Sequence, residues 1–245
     1  MRYFAEIAYN GTNYHGWQKQ PNAPSVQEVV EQAFSTILNT PIEVIGCGRT
    51  DAGVHALQYF FHFDFEGEMP KGLPGRLNRF LPNDIAVRRV FEVDKNRHAR
   101  FDAVRRSYEY RIVFEKNPFE IHTTWHYHQA RSLNIDQLNG AASLLRAYHA
   151  FFPFCKSHHD AQTMACDLAR AEWVLDEKQG RLTFHITANR FLRGMVRLVV
   201  GMCINVAEGK LPLEKVKQAL DNQQLLEKSR SVPPGGLFLS RVEYP

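Results

Sequence analysis

The run Leu57-Gln58-Tyr59-Phe60-Phe61-His62-Phe63-Asp64-Phe65 most constrains the fold. Large apolar groups alternate along it, which is the signal of a strand in a sheet. A shorter β-branched run (Ile42, Val44, Ile45) precedes it and predicts a second strand. Between the two lies Gly46-Cys47-Gly48-Arg49-Thr50-Asp51-Ala52-Gly53-Val54-His55-Ala56. Glycines at a strand end permit positive φ and close approach of another backbone or a ligand. Arg49 and Asp51 can form a charged pair at the mouth of the sheet. Thr50-Asp51-Ala52-Gly53 is equally readable as an ordinary Asx-type turn, and composition alone leaves both readings open.

The rest of the first part supplies partners for these strands. Arg2 to Tyr9 alternates as a strand and ends on the turn signal Asn10-Gly11. An aromatic and basic loop follows, Tyr14-His15-Gly16-Trp17-Gln18-Lys19-Gln20-Pro21. Ser25-Val26-Gln27-Glu28 is a capping box, and the helix it opens runs to about Asn39 with Val26, Val29, Val30, Ala33, Phe34 and Ile37 on one face. A short helix over Arg76–Phe80 and a strand over Ile85–Val93 complete the order strand, helix, strand, strand, helix, strand.

The later half repeats this mixture. It holds a strand over Ser107–Phe114, a helix over Asn134–Ala147, and a hairpin, Leu168–Leu175 with Leu182–Thr187, across Asp176–Gly180. A long helix from Asn189 to Glu208, a shorter one over Leu213–Leu220 and a last strand over Leu237–Tyr244 follow. The expected fold is α+β: two mixed subdomains, 1–103 and 104–245, of RNA-binding-like topology. Each has a mainly antiparallel sheet with helices on one face, and an active-site cleft lies between them.

With 245 residues, 44% of them apolar and 23% charged, the chain is long enough for a real core and too apolar for disorder. A net charge of +4 permits a polyanionic partner without requiring one. Cys47, Cys155, Cys166 and Cys203 are far apart in sequence, which fits free thiols rather than a disulfide framework or a zinc knuckle. No signal-peptide pattern opens the chain and no apolar run is long enough for a membrane, so the expected location is the cytoplasm.

Charge is concentrated in Arg88 to Arg111, which holds seven arginines and Lys95 with Phe101, Tyr108 and Tyr110 interleaved. Basic groups neutralise phosphates and aromatic faces stack on unpaired bases. Glu92, Asp94, Asp102 and Glu109 offset half of that charge, so a solvated strand face fits equally. In the helix expected over 189–208, Arg190, Arg193 and Arg197 recur at three and four residues and so share one face. Arg190 and Arg193 are candidates for binding substrate. Arg197, among Met195, Val196, Leu198 and Val199, needs an anionic partner: either a structural carboxylate or a catalytic aspartate that must stay ionised.

Other chemistries find little support. His122, His126 and His128, and the run His158-His159-Asp160, lack the spacing of a zinc site. No phosphate-binding glycine loop, dinucleotide fingerprint or Gly-x-Ser-x-Gly elbow occurs. No cofactor and no metal are expected.

The motifs taken together resemble the tRNA pseudouridine synthase A family over nearly the whole chain. The matching residues are Tyr14, Gly16, Trp17 and Gln18; Gly48 through Ala56; His98-Ala99-Arg100-Phe101 with Tyr108 and Tyr110; Asn189 and Phe191 with Met195-Val196-Arg197; and Pro233-Pro234 with Gly236-Leu237. The resemblance implies an isomerase converting uridine to pseudouridine at positions 38 to 40 of the tRNA anticodon stem-loop. It also implies a homodimer that uses neither cofactor nor metal. Asp51 matches the catalytic carboxylate, which acts as nucleophile or stabilises the oxocarbenium-like state. Arg197 matches the arginine that pairs with it, and Arg49 the signature arginine that holds the flipped nucleotide. Tyr108 matches the tyrosine that stacks on uracil and assists proton removal from C5, and Leu237 the residue lining the base pocket. The chain departs from the family's pattern at His149-Ala150-Phe151, where a His-Asp-Phe run is common, and near Thr163 and Cys166, where an arginine is frequent.

Two other functions fit parts of the sequence. One is a catalytically silent protein that binds or folds tRNA, which has no need of Asp51, Tyr108 and Arg197. The other is a glycosidase or nucleosidase acting on small substrates. That chemistry normally takes two carboxylates, and Asp102 is the second acid to nominate.

Overall fold

A computed structural model describes residues 1–155 and 163–245. The run His158-His159-Asp160 lies outside the described residues. Within them are nine strands and five α-helices, an α+β arrangement with mostly antiparallel pairing. Contacts divide the chain into two units: Met1–Val104 with Phe238–Pro245, and Arg105–Leu237.

The first unit is built on β1 (Arg2–Tyr9), which pairs antiparallel with two strands that follow it in sequence. Helix α1 (Val26–Leu38) starts where the capping box places it, with the Glu28 N–H donating to Ser25 Oγ at 3.3 Å. It ends on Asn39 in the left-handed conformation. Strand β2 is only Ile45–Gly46, shorter than the β-branched run suggests. The reason is local. The Ile42 N–H donates to Ser35 Oγ and the Val44 N–H to Glu31 Oε1, so side chains of α1 take the bonds a ladder would use.

Strand β3 (His55–Asp64) is the alternating run, begun two residues earlier than expected. Helix α2 (Leu73–Phe80) and β4 (Ile85–Val93) follow. The sheet order is β4-β1-β3, with β2 on β3 and the chain's final strand, β9 (Leu237–Glu243), parallel to β3 through His55↔Phe238 and Ala56↔Leu239. Side chains alternate across β3. Phe61 and Phe63 meet Phe34 of α1 edge-on at 5.3 and 5.1 Å, while Phe60 meets Tyr244 on the other face. Both faces of β3 are therefore covered, which is why large apolar residues occur on both of them.

In the second unit, β5 (Arg105–Val113) pairs with β8 (Arg181–Ala188), and β8 with β7 (Leu168–Asp176), all antiparallel. A short β6 (Trp125–His126) lies parallel to β5. Helix α3 (Ile135–Leu144) is capped by Asn134 and fastened to β7, because the Asn139 amide both donates to the Trp173 carbonyl and accepts its N–H.

Helix α4 spans Met195–Ala207, not 189–208. Gly194, at φ 73°, breaks the helical path just before it. Residues 195–205 are buried almost throughout, which accounts for their composition. Helix α5 (Leu213–Asp221) begins after Pro212. All four cysteines are buried, and none of them is in a disulfide. No helix among the described residues is long and apolar enough to cross a membrane.

Candidate active site

Asp51 sits in the loop that joins β2 to β3, and this loop is framed from below by backbone. Its turn is closed by the Val54 N–H donating to the Asp51 carbonyl at 3.1 Å, with Gly53 at φ 73°. A second loop, following β1, lies directly against it. The Trp17 N–H donates to the Thr50 carbonyl at 3.3 Å, and the Gly53 N–H to the Tyr14 carbonyl at 3.1 Å. Two glycines make this approach possible. A Cβ on Gly11 would stand 2.0 Å from the Val54 carbonyl oxygen, and one on Gly16, itself at φ 93°, 2.2 Å from that of Thr50. No side chain fits either place.

Side chains complete the frame. Tyr9 and Thr50 hydroxyls share a hydrogen bond at 2.9 Å in a buried setting, and Tyr59 donates to the Gly48 carbonyl at 2.5 Å. His55 is 1% exposed; its Nδ1 accepts the Gly11 N–H at 3.0 Å, and its ring lies 4.6 Å from that of Phe238. Tyr14 donates to Asp84 at 2.7 Å, and burial foremost, then this bond, raises its ionisation well above the ordinary range. Within this frame Asp51 is half-buried and Arg49 exposed. A carboxylate at the rim of a fixed, glycine-lined turn can be presented to a ligand without rearrangement.

The other expected site residues belong to the second unit. Tyr108, on β5, is half-buried and meets Phe191 edge-on at 5.2 Å. Tyr110, two residues on, is fully buried; its hydroxyl donates to the Pro233 carbonyl at 2.7 Å, and burial drives its ionisation upward. Arg197 is half-buried on α4 rather than deep in the core, and its Nε donates to the Val232 carbonyl at 2.6 Å. The partner given by this bond is a backbone oxygen, not a carboxylate.

Two adjacent carbonyls, those of Val232 and Pro233, are thus fastened by Arg197 and Tyr110 respectively. Gly236 lies so close to β5 that a Cβ would be 2.8 Å from the Arg111 carbonyl and 2.9 Å from the Tyr110 ring. Leu237, buried, follows immediately.

Arg190 and Arg193 do not share a helical face with Arg197, because both precede α4. Arg190 donates to the Thr163 carbonyl at 3.3 Å, and Arg193 is exposed. Asp102 is engaged locally: its Oδ2 accepts the His98 N–H at 2.9 Å and pairs with Arg97 at 3.4 Å. The basic stretch is also partly spent. Arg88 and Arg89 pair with Glu6, and Arg111 with Glu109. Among the described residues no cluster of three or more His, Cys, Asp or Glu side chains is placed to hold a metal.

The framing roles of Tyr9, Gly11, His55 and Tyr110 are not visible in sequence, since each rests on a contact between distant positions. The one available signal was the pairing of glycines with aromatic residues in the 11–17 loop.

Comparison with known proteins adds a likeness along the chain. The family described as tRNA pseudouridine synthase matches residues 5–102 and 141–245. The tRNA pseudouridine synthase A of Porphyromonas gingivalis is 43% identical over 247 aligned residues, covering 100% of this chain and 97% of that protein. Those of Bacteroides thetaiotaomicron and Bacteroides fragilis are each 44% identical, with 100% of this chain and 91% and 97% of theirs covered. A family match over most of the chain and identities of 43–44% over its full length show that this chain belongs to the tRNA pseudouridine synthase A family.

Proposed function

We propose that this chain isomerises uridine to pseudouridine in tRNA, at positions 38 to 40 of the anticodon stem-loop. The observation that carries the reading is the family likeness extending over the whole chain. In the reaction the N1–C1′ bond of the nucleotide breaks, the uracil turns, a C5–C1′ bond forms, the C5 proton leaves to solvent and N1 takes up a proton in its place. Atoms and charge balance without an oxidant, reductant or cofactor.

Breaking the glycosidic bond builds positive charge at C1′, and Asp51 answers it as nucleophile or electrostatic stabiliser. The rigid loop beneath Asp51 supports this role, since preorganised charge costs no reorganisation during the reaction. Arg197, whose Nε is held on the Val232 carbonyl, serves as the positive partner of that carboxylate. Tyr108 stacks on the uracil and assists proton removal from C5. Arg49, Arg190 and Arg193 bind the flipped nucleotide and its phosphates, and Leu237 lines the base pocket. Flipping the base costs a few kcal/mol, which phosphate contacts offset. The active form is a homodimer working in the cytoplasm, and the sheets of its subdomains serve as RNA-binding-like scaffolds.

The test uses unmodified tRNA tritiated at uridine C5. Wild-type protein should release tritium to water and Asp51→Asn should release none while still binding the tRNA. Binding without release by the wild type would replace the enzyme with a silent tRNA-binding protein.

A further inference from the structure

We infer that Phe101, with Arg100 beside it and the His98 ring beneath it, is a stacking platform for an unpaired nucleotide of the tRNA. The inference rests on the proposed tRNA-modifying function and adds a contact that the catalytic roles above do not include. Phe101 is 75% exposed, whereas Ala99, two positions earlier, is fully buried. Single exposed apolar residues are ordinary on protein surfaces. This one differs in how firmly it is held.

The Phe101 ring lies 4.3 Å from the His98 ring at 33°. His98 Nδ1 accepts the N–H groups of Arg100 (3.1 Å) and Phe101 (3.3 Å). The turn is also tied to the sheet behind it. The Ala99 N–H donates to Nδ1 of buried His62 at 3.1 Å, and its carbonyl accepts the Tyr244 hydroxyl at 2.6 Å. Asp102 closes the turn on the His98 N–H, and the Arg97 carbonyl accepts from Arg2 Nη1 at 3.1 Å. The conformational cost of presenting the ring is met by the fold, as in preorganised recognition surfaces.

Charge decides the kind of partner. Asp102 pairs with Arg97 and Asp64 with Arg2, while exposed Asp94 accepts the Asn96 N–H at 2.8 Å. Lys95, Asn96 and Arg100 are exposed around the turn, and the Arg100 guanidinium lies 5.8 Å from the Phe101 ring centre. A protein partner would call for an apolar rim around the ring. A flat aromatic face with a cation at its edge instead matches a base stacked beside its own phosphate.

The test measures binding of unmodified tRNA by the full chain, alongside tritium release and mass by light scattering. Phe101→Leu, which stays apolar but cannot stack, should weaken binding about 5- to 150-fold, whereas Phe101→Trp should bind as the wild type does. Arg100→Gln should lower the slope of log K against log salt by about one. If Phe101→Leu binds as the wild type while the wild type releases tritium, the platform is refuted and the catalytic reading stands. Loss of a dimer in Phe101→Leu would overturn the platform in favour of a second copy of the chain. A wild type that neither binds tRNA nor releases tritium removes both.

Discussion

Gly11 carries more of the site's geometry than its size implies. A methyl group there would stand 2.0 Å from the Val54 carbonyl oxygen, so Gly11→Ala must push the Asp51 turn away from the loop after β1. Such overpacking costs about 1–3 kcal/mol. The larger effect is expected in kcat/KM, down about 100-fold in folded protein, because small misplacements of a reacting group are costly. Tritium release at a temperature below the melting transition checks this.

Tyr110→Phe removes one hydroxyl and its bond to the Pro233 carbonyl, so it should lower stability by about 1 kcal/mol in urea titration. His62 supplies a pH dependence. Burial foremost, then the charges of Arg2 and His98, lower its pKa to about 4, against the opposing pull of Asp64 and Asp102. The unfolded chain therefore binds a proton near pH 6.5 that the folded chain refuses until about 4. Stability falls as pH drops through that window, and urea midpoints of His62→Gln should fall less steeply there. Asp51 was legible in sequence as the lone acid in a glycine-rich turn between strands. Gly11, Tyr110 and His62 were not, because each acts through a partner at least 37 positions away.

Among the elements, the strand expected around Ile42 and Val44 shows how helix side chains override β-propensity. Ser35 and Glu31 take the two N–H groups that pairing would need. Ser35→Ala strands the partly buried Ile42 N–H and should cost about 1–3 kcal/mol by thermal or urea unfolding. Helix α4 corrects the sequence reading differently. Apolar periodicity runs back toward Asn189, yet Gly194 at φ 73° delays the start of the helix to Met195. Left-handed glycine does not announce itself in a composition window, so Arg190 and Arg193 read as helical when they are not. The capping box at Ser25, the hairpin over 168–188 and the strand over Ile85–Val93 were legible, because local chemistry alone dictates them.

At the scale of the molecule, the α+β order was legible from periodicity, while the pairing of distant strands was not. If the chain tracks tRNA phosphates, raising salt from 50 to 200 mM should raise KM for tRNA steeply and leave kcat nearly unchanged in steady-state assays. The membership of Phe238–Pro245 in the first unit carries a consequence for synthesis. The ribosome makes Met1–Val104 first, but the parallel neighbour of β3 arrives only after Arg105–Leu237 has been translated. Until then His55 lacks Phe238 against its ring, at the base of the turn that bears Asp51. A nascent chain therefore holds an unfinished sheet with an open edge through more than half of its elongation.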